Sequence, residues 1–254
     1  MIVENKIEVF HKLLVANANK KKKDWWERYL RNSISFLGVG IPEIRGLLIT
    51  WHQENKIENL SLETQLGIVK KFMVRTFAED KLAGILFVQL FLLKRENYKS
   101  IVLLIQELFD EEKIFDWNTC DWMCVRLLTP IVESNDVESV KIISSWKDAE
   151  FLWKARASAV AFAQVKEKSK HMKAIDEINR TLIKRNERFG KTSVGWLLRE
   201  ISRDDKTYVE KFISDQLIYF TKETINNSMK YFEVEQRKKY LKKLRELKLN
   251  EKQI

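Results

Sequence analysis

Apolar residues recur at helical spacing along most of the chain, as in Ile7, Phe10, Leu13 and Leu14 and again in Ile101, Leu104, Ile105 and Leu108. Sets spaced i, i+3, i+4 and i+7 line one face of a helix and leave the other to water. Polar breaks interrupt the pattern around Asn17 to Asp24, Asn55 to Ser61, Glu111 to Lys113, Glu133 to Asp136, Lys166 to His171, Arg188 to Thr192 and Arg203 to Thr207. The spacing predicts roughly a dozen helices in antiparallel pairs. Start signals sit beside the breaks. Pro42 with Glu43 suits a first turn, Ser61 followed by Glu63 reads as a cap, and Ser134 or Asn135 is placed to cap a helix opening near Val137.

Composition agrees with helices. The 254 residues include 7 Gly and 2 Pro, too few to punctuate the tight turns of an all-β or α/β design. Hydrophobic residues make up 45% and charged residues 32%, enough apolar side chains for a sizeable core and not a disordered composition. We read residues 1–254 as a single domain with a basic helical segment at about 230–254. The longest apolar stretch, Leu82 to Leu93, is interrupted by Gln89 and closed by Lys94 and Arg95, short of a membrane span. The amino terminus lacks the charged-then-apolar order of a signal peptide. Cys120 and Cys124 lie one helical turn apart, and His11, His52 and His171 share no ligand spacing with them. The expectation is a cytoplasmic monomer with no membrane partner, no metal and no cofactor.

Charge is unevenly placed. Residues 1–153 hold 21 Lys/Arg against 22 Asp/Glu, a net of −1, whereas residues 154–254 hold 25 against 14, a net of +11. A one-sided basic surface attracts polyanions, because each phosphate neutralised releases condensed counterions. Well-solvated helices produce such excesses too, and the run Lys20 to Lys23 reads as a solvent-facing linker ahead of Trp25.

Two patterns combine aromatics with charge. Trp153 to Arg156 is echoed 43 residues later by Trp196 to Arg199, a period in the range of HEAT-type helix pairs, and each places an indole beside a cation on one helical face. Trp117 and Asp121 are likewise at i and i+4. Taken alone, such a pair is more often an inward tryptophan with a capping or ion-paired aspartate. If equivalent positions of stacked repeats lie side by side, Trp117, Asp121, Arg156 and Trp196 are expected to line one concave surface.

With these residues the chain resembles the AlkD-like DNA alkylation repair proteins, HEAT-like DNA glycosylases acting on N3- and N7-alkylated purines. Arg28-Tyr29-Leu30-Arg31-Asn32, Phe36-Leu37-Gly38-Val39 and Pro42-Glu43-Ile44-Arg45 are similar to the family's amino-terminal motif. Trp117 with Asp121 looks like its Trp-Asp-x-x-Asp motif, and Trp153 with Arg156 like its Trp-x-x-Arg. Gly195-Trp196-Leu197-Leu198-Arg199-Glu200 looks like its Gly-Trp-x-Leu-Arg-Glu. Asn118 departs from the pattern, which usually carries an acid there. The resemblance implies an all-α, HEAT-like antiparallel solenoid with a concave basic face. It implies Asp121 as the catalytic carboxylate, with Trp117, Arg156, Trp196 and Tyr29 around the lesion-bearing nucleotide of duplex DNA. Arg199 belongs to the same basic surface. The rival readings are a non-catalytic relative that binds damaged or branched DNA and a helical protein-interaction scaffold, which would expose an apolar groove instead.

Overall fold

The polar breaks become turns between helices. In the computed structural model residues 2–250 are described, with side chains from residue 4 onward, and their only extended pairing is one bridge between Ser35 and Phe77. The chain is all-α, and its contacts divide it into two compact units, residues 1–127 and 128–254. The end of the basic segment, 251–254, lies outside the described residues.

The first unit contains α1 (Ile2–Ala16), α2 (Lys20–Tyr29), α3 (Ile41–Glu54), α4 (Leu62–Met73), α5 (Ala78–Phe87), α6 (Tyr98–Asp110) and α7 (Trp117–Met123). Helix α5 packs against α3 and α7, while α4 packs against α5 and α6. The second unit contains α8 (Thr129–Glu133), α9 (Val137–Ser145), α10 (Leu152–Ala163), α11 (Met172–Leu182), α12 (Arg188–Ile201), α13 (Lys206–Gln216), α14 (Lys222–Ser228) and α15 (Val234–Asn250). There α10 packs on α8 and α12, and α12 on α14, with α9 and α11 forming a second row. Alternate helices stacked in this way are the mark of a helical repeat.

The repeat is shorter than the tryptophan echo indicates. With α7 and α8 counted as one helix interrupted at 124–128, alternate helices begin at 41, 78, 117, 152, 188 and 222, a spacing of 34 to 39 residues. Trp153 is the second residue of α10 and Trp196 the ninth of α12, so the two Trp-x-x-Arg pairs are not equivalent positions. Helix phase is set by where each helix starts, and a local sequence match does not report it.

Local chemistry explains most boundaries. The Ser61 hydroxyl accepts from Thr64 N at 3.2 Å, and Pro42 sits in the first turn of α3, both as expected. Three expectations shift. Asp136, rather than Ser134 or Asn135, caps α9 by accepting from Ser139 N at 2.9 Å. Lys20 to Lys23 open α2 instead of forming a linker, because Asn19 caps Lys22 N at 3.0 Å and lysine is a good helix former. Arg188 to Thr192 form the first turn of α12, and the break falls just before them.

Small residues set the tight packing of the second unit. Every residue of α10 from Ala155 to Ala163 is buried, five of them alanines, which lets neighbours approach on several sides. In α12, a Cβ on Gly195 would stand 3.3 Å from Asn227 and Thr224 of α14. None of the described helices is long and apolar enough to cross a membrane.

Candidate active site

Helix α7 carries Trp117 and Asp121. Its cap is Asp116, a buried carboxylate that accepts from Thr119 N at 2.9 Å. Burial pushes the Asp116 carboxyl above the usual range, and its second oxygen has no hydrogen-bond partner among the described residues. Trp117 is half-buried over a cluster of Leu30, Ile34, Phe36 and Ala78, and Asp121 is half-buried one turn later. Asn118 is buried.

Tyr29, at the end of α2, meets Trp117 edge to face, 5.8 Å between ring centroids. The structure adds two aromatics to this pair. Trp25 stacks on Tyr29 at 5.2 Å, and Trp26 meets Tyr29 edge-on at 5.9 Å while stacking on Phe36 at 5.9 Å. Trp25 and Tyr29 are 51% and 55% exposed, an aromatic surface that the fold does not cover. In the sequence it was visible as Trp25-Trp26, separated from the four lysines 20–23 by Asp24 alone.

Beneath this surface α5 buries three consecutive charges. Glu79 accepts from the backbone N–H of Leu37, Gly38 and Val39 at 2.9, 2.7 and 3.2 Å. Gly38 has φ of 88°, and a Cβ there would lie 2.1 Å from the Asn19 carbonyl oxygen, so glycine is required. Asp80 faces His11 Nδ1 at 3.1 Å and Arg75 Nε at 3.3 Å. Lys81 donates to the carbonyls of Met73 and, at 2.8 Å, Lys113, with its ammonium 5.2 Å from the Phe115 ring centroid. Burial lowers the Lys81 ammonium to about 8 and raises both acids, against the neighbouring charges and N–H donors that favour ionisation. The three side chains therefore tie α5 to the loop after α2, to α1 and to the approach to α7. Sequence reading missed them, although Glu-Asp-Lys between Phe77-Ala78 and the apolar run that opens at Leu82 was the available signal.

The second unit holds Arg156, Trp196 and Arg199. Arg156 is 5% exposed and donates through Nη1 to the Phe189 carbonyl at 2.9 Å and to Thr192 Oγ1 at 3.4 Å. Its guanidinium carbon lies 5.8 Å from the Phe189 ring centroid, and Trp153 packs on the same ring at 5.1 Å. Phe189 is thus a seam between α10 and α12 that the sequence did not flag. The Arg199 guanidinium lies 5.9 Å from the Trp196 centroid, the neighbourhood that the i, i+3 spacing predicts. Trp196 Nε1 is buried and has no acceptor among the described residues. Arg199 also binds Glu200 at 2.8 Å and Asn227 at 3.1 Å, and Arg203 binds the other oxygen of Glu200 at 2.9 Å. Burial pushes the Glu200 carboxyl up, but the two arginines outweigh it and leave it below its ordinary value.

Tyr29 and Trp117 are brought together in one unit, and Trp196 and Arg199 in the other. Asp121 and Arg156 share a register, each being the fifth residue of its helix.

The family model for DNA alkylation repair enzymes matches residues 10–232. A solved structure described as a predicted DNA alkylation repair enzyme from Enterococcus faecalis is similar to this chain. Its TM-score is 0.73 at 17% identity, over 86% of this chain and 98% of that one. At that identity the likeness carries the fold. No curated protein matches the chain.

Proposed function

The chain belongs to the DNA alkylation repair enzyme family, and from that premise we propose that it is a DNA glycosylase. Its substrate is duplex DNA carrying a cationic N3- or N7-alkylated purine such as 3-methyladenine or 7-methylguanine, and its place is base excision repair. The observation that carries the reading is the family match across residues 10–232. It includes Trp117 with Asp121 on α7, and Trp196 with Arg199 on α12, in the order the motifs require.

Alkylation at N3 or N7 gives the purine a positive charge, so it departs with the bonding pair and needs no acid to protonate it. Positive charge then develops on the sugar. The Asp121 carboxylate stabilises that charge and orients a water whose oxygen joins C1′ while its proton leaves through the carboxylate to solvent. Trp117 and Tyr29 offer indole and phenol faces to the cationic nucleotide, worth roughly 0.5 to 2 kcal/mol each. The Arg199 guanidinium suits phosphate oxygens with the Trp196 ring beside it, and residues 154–191, with 11 Lys/Arg against 4 Asp/Glu, supply sequence-independent affinity. Arg156, held against Phe189, keeps the start of α12 in place and adds its charge to that region.

Incubation with duplex containing 7-methylguanine or 3-methyladenine, followed by detection of released base, tests the proposal. Release of neither, with binding retained, would establish the reading of a non-catalytic relative that binds damaged or branched DNA.

A further inference from the structure

Helix α15 begins after the family match has ended at residue 232, so the family's chemistry does not account for it. Tyr240 and Leu244 are buried and, with half-buried Arg237 and Leu241, form an i, i+3, i+4, i+7 stripe. Tyr240 Oη lies 3.0 Å from Ser214 Oγ and donates to the Glu210 carbonyl at 3.4 Å, which fixes the docking on α13. The outward face is a different material. Lys238, Lys239, Lys242, Lys243, Arg245 and Lys248 are all exposed, and residues 234–250 hold seven Lys/Arg against two Glu. Lys238 stands one turn from Lys242, and Lys239 one turn from Lys243. Like charges so placed oppose the helix. Glu235 and Glu246 relieve Lys238 and Lys242 at 2.8 and 3.9 Å.

A row of stacked lysines that costs helix stability fits a polyanion held along that row. We propose that α15 is an accessory clamp on the sugar-phosphate backbone of duplex DNA, contacting phosphates outside the catalytic centre. This rests on the reading of the protein as one that acts on DNA. The charge pattern favours duplex over a lipid surface, because a lipid-binding helix must offer its apolar stripe to the membrane and here that stripe is docked. The leucines left exposed, Leu247 and Leu249, lie in the last turn.

The test compares the full chain with a variant carrying Gln at 238, 239, 242 and 243, and with a second carrying Arg at the same four positions. Tyr240 and Leu244 are untouched in both, and an unshifted thermal midpoint checks the fold. Affinity for undamaged duplex is measured by anisotropy between about 50 and 200 mM salt. The Gln variant is expected to lower the log-log salt slope by about 2 to 4, at roughly 0.9 per lost phosphate contact, while the Arg variant keeps it. Single-turnover release of 7-methylguanine at saturating enzyme is expected to be equal in all three. An unchanged slope in the Gln variant, no duplex binding by the parent chain, or capture by phosphatidylserine vesicles without a change in slope would each overturn the clamp. Failure of the parent chain to release base would instead overturn the glycosylase reading, and the slope would still decide the role of α15.

Discussion

Trp25 lies face to face on Tyr29, with 7° between the ring planes, and the two residues stay 51% and 55% exposed. Stacked aromatics of this kind carry little of the protein's own stability because water still reaches them. They offer a ready face to an unstacked base. Trp25→Ala is therefore expected to change unfolding free energy by less than about 0.5 kcal/mol. It should weaken binding of alkylated duplex by about five- to a hundredfold and affect undamaged duplex less. Titrations of the two duplexes, run beside a urea melt, separate these outcomes. Equal losses for both duplexes would remove the plate from lesion recognition.

Asp121→Asn keeps the size and hydrogen-bonding reach of the side chain and removes its charge. Duplex affinity should be intact or slightly raised, since one repulsion with phosphate disappears. Excision should fall by roughly 10² or more, because a preorganised charge facing a developing cation is worth a few kcal/mol in the barrier. Single-turnover base release measures the drop, and equal rates would take the catalytic role away from Asp121.

Arg156→Ala removes the donor to the Phe189 carbonyl from a buried position. A stability loss of about 2 to 3 kcal/mol is expected, together with weaker duplex binding and slower excision. Arg156→Lys retains the charge without the planar fork, so it should recover binding more fully than stability. Denaturant midpoints and binding isotherms of both variants check the split.

Glu79→Gln leaves three backbone N–H groups at 37–39 with a neutral, partly mismatched acceptor. The expected cost is about 2 to 4 kcal/mol, read as a lower denaturant midpoint. Gly38→Ala should cost at least about 2 kcal/mol by a separate route, since its φ of 88° and the Asn19 and Lys23 backbone atoms leave no room for a Cβ. A midpoint that does not move in either variant would mean the loop is not held as described.

Lys81 predicts a pH effect. Its folded-state value of about 8 is below the ordinary 10.5 because burial disfavours the ammonium. Between those values the unfolded chain binds more protons than the folded one, so stability rises with pH across that window. The penalty is fully present below about 8, and its relief approaches roughly 3 kcal/mol by the upper end. Lys81→Met should show a flatter rise than the parent chain when denaturant midpoints are compared from neutral to alkaline pH. Parallel curves would contradict the burial assigned to Lys81.

The sequence by itself determined the helical class, the rough limits of most helices and the motifs that mark the family, while its dozen helices became fifteen α segments among the described residues. These follow from short-range rules: apolar spacing, Ser61 as a cap, Pro42 in a first turn and the shortage of glycine. It also nominated Tyr29, Trp117, Asp121, Arg156, Trp196 and Arg199 as site residues, because a family motif is a local string. Other features depended on which helix packs against which. The repeat of 34 to 39 residues replaced the 43-residue echo because phase comes from where helices begin. Glu79, Asp80 and Lys81 looked like a polar interruption, and only packing shows them satisfied by Gly38, His11 and the Lys113 carbonyl, partners 32 to 69 residues away in the chain. Arg156 reads as a surface cation in sequence, yet the fold buries it on Phe189, since burial is a property of neighbours that local spacing does not encode.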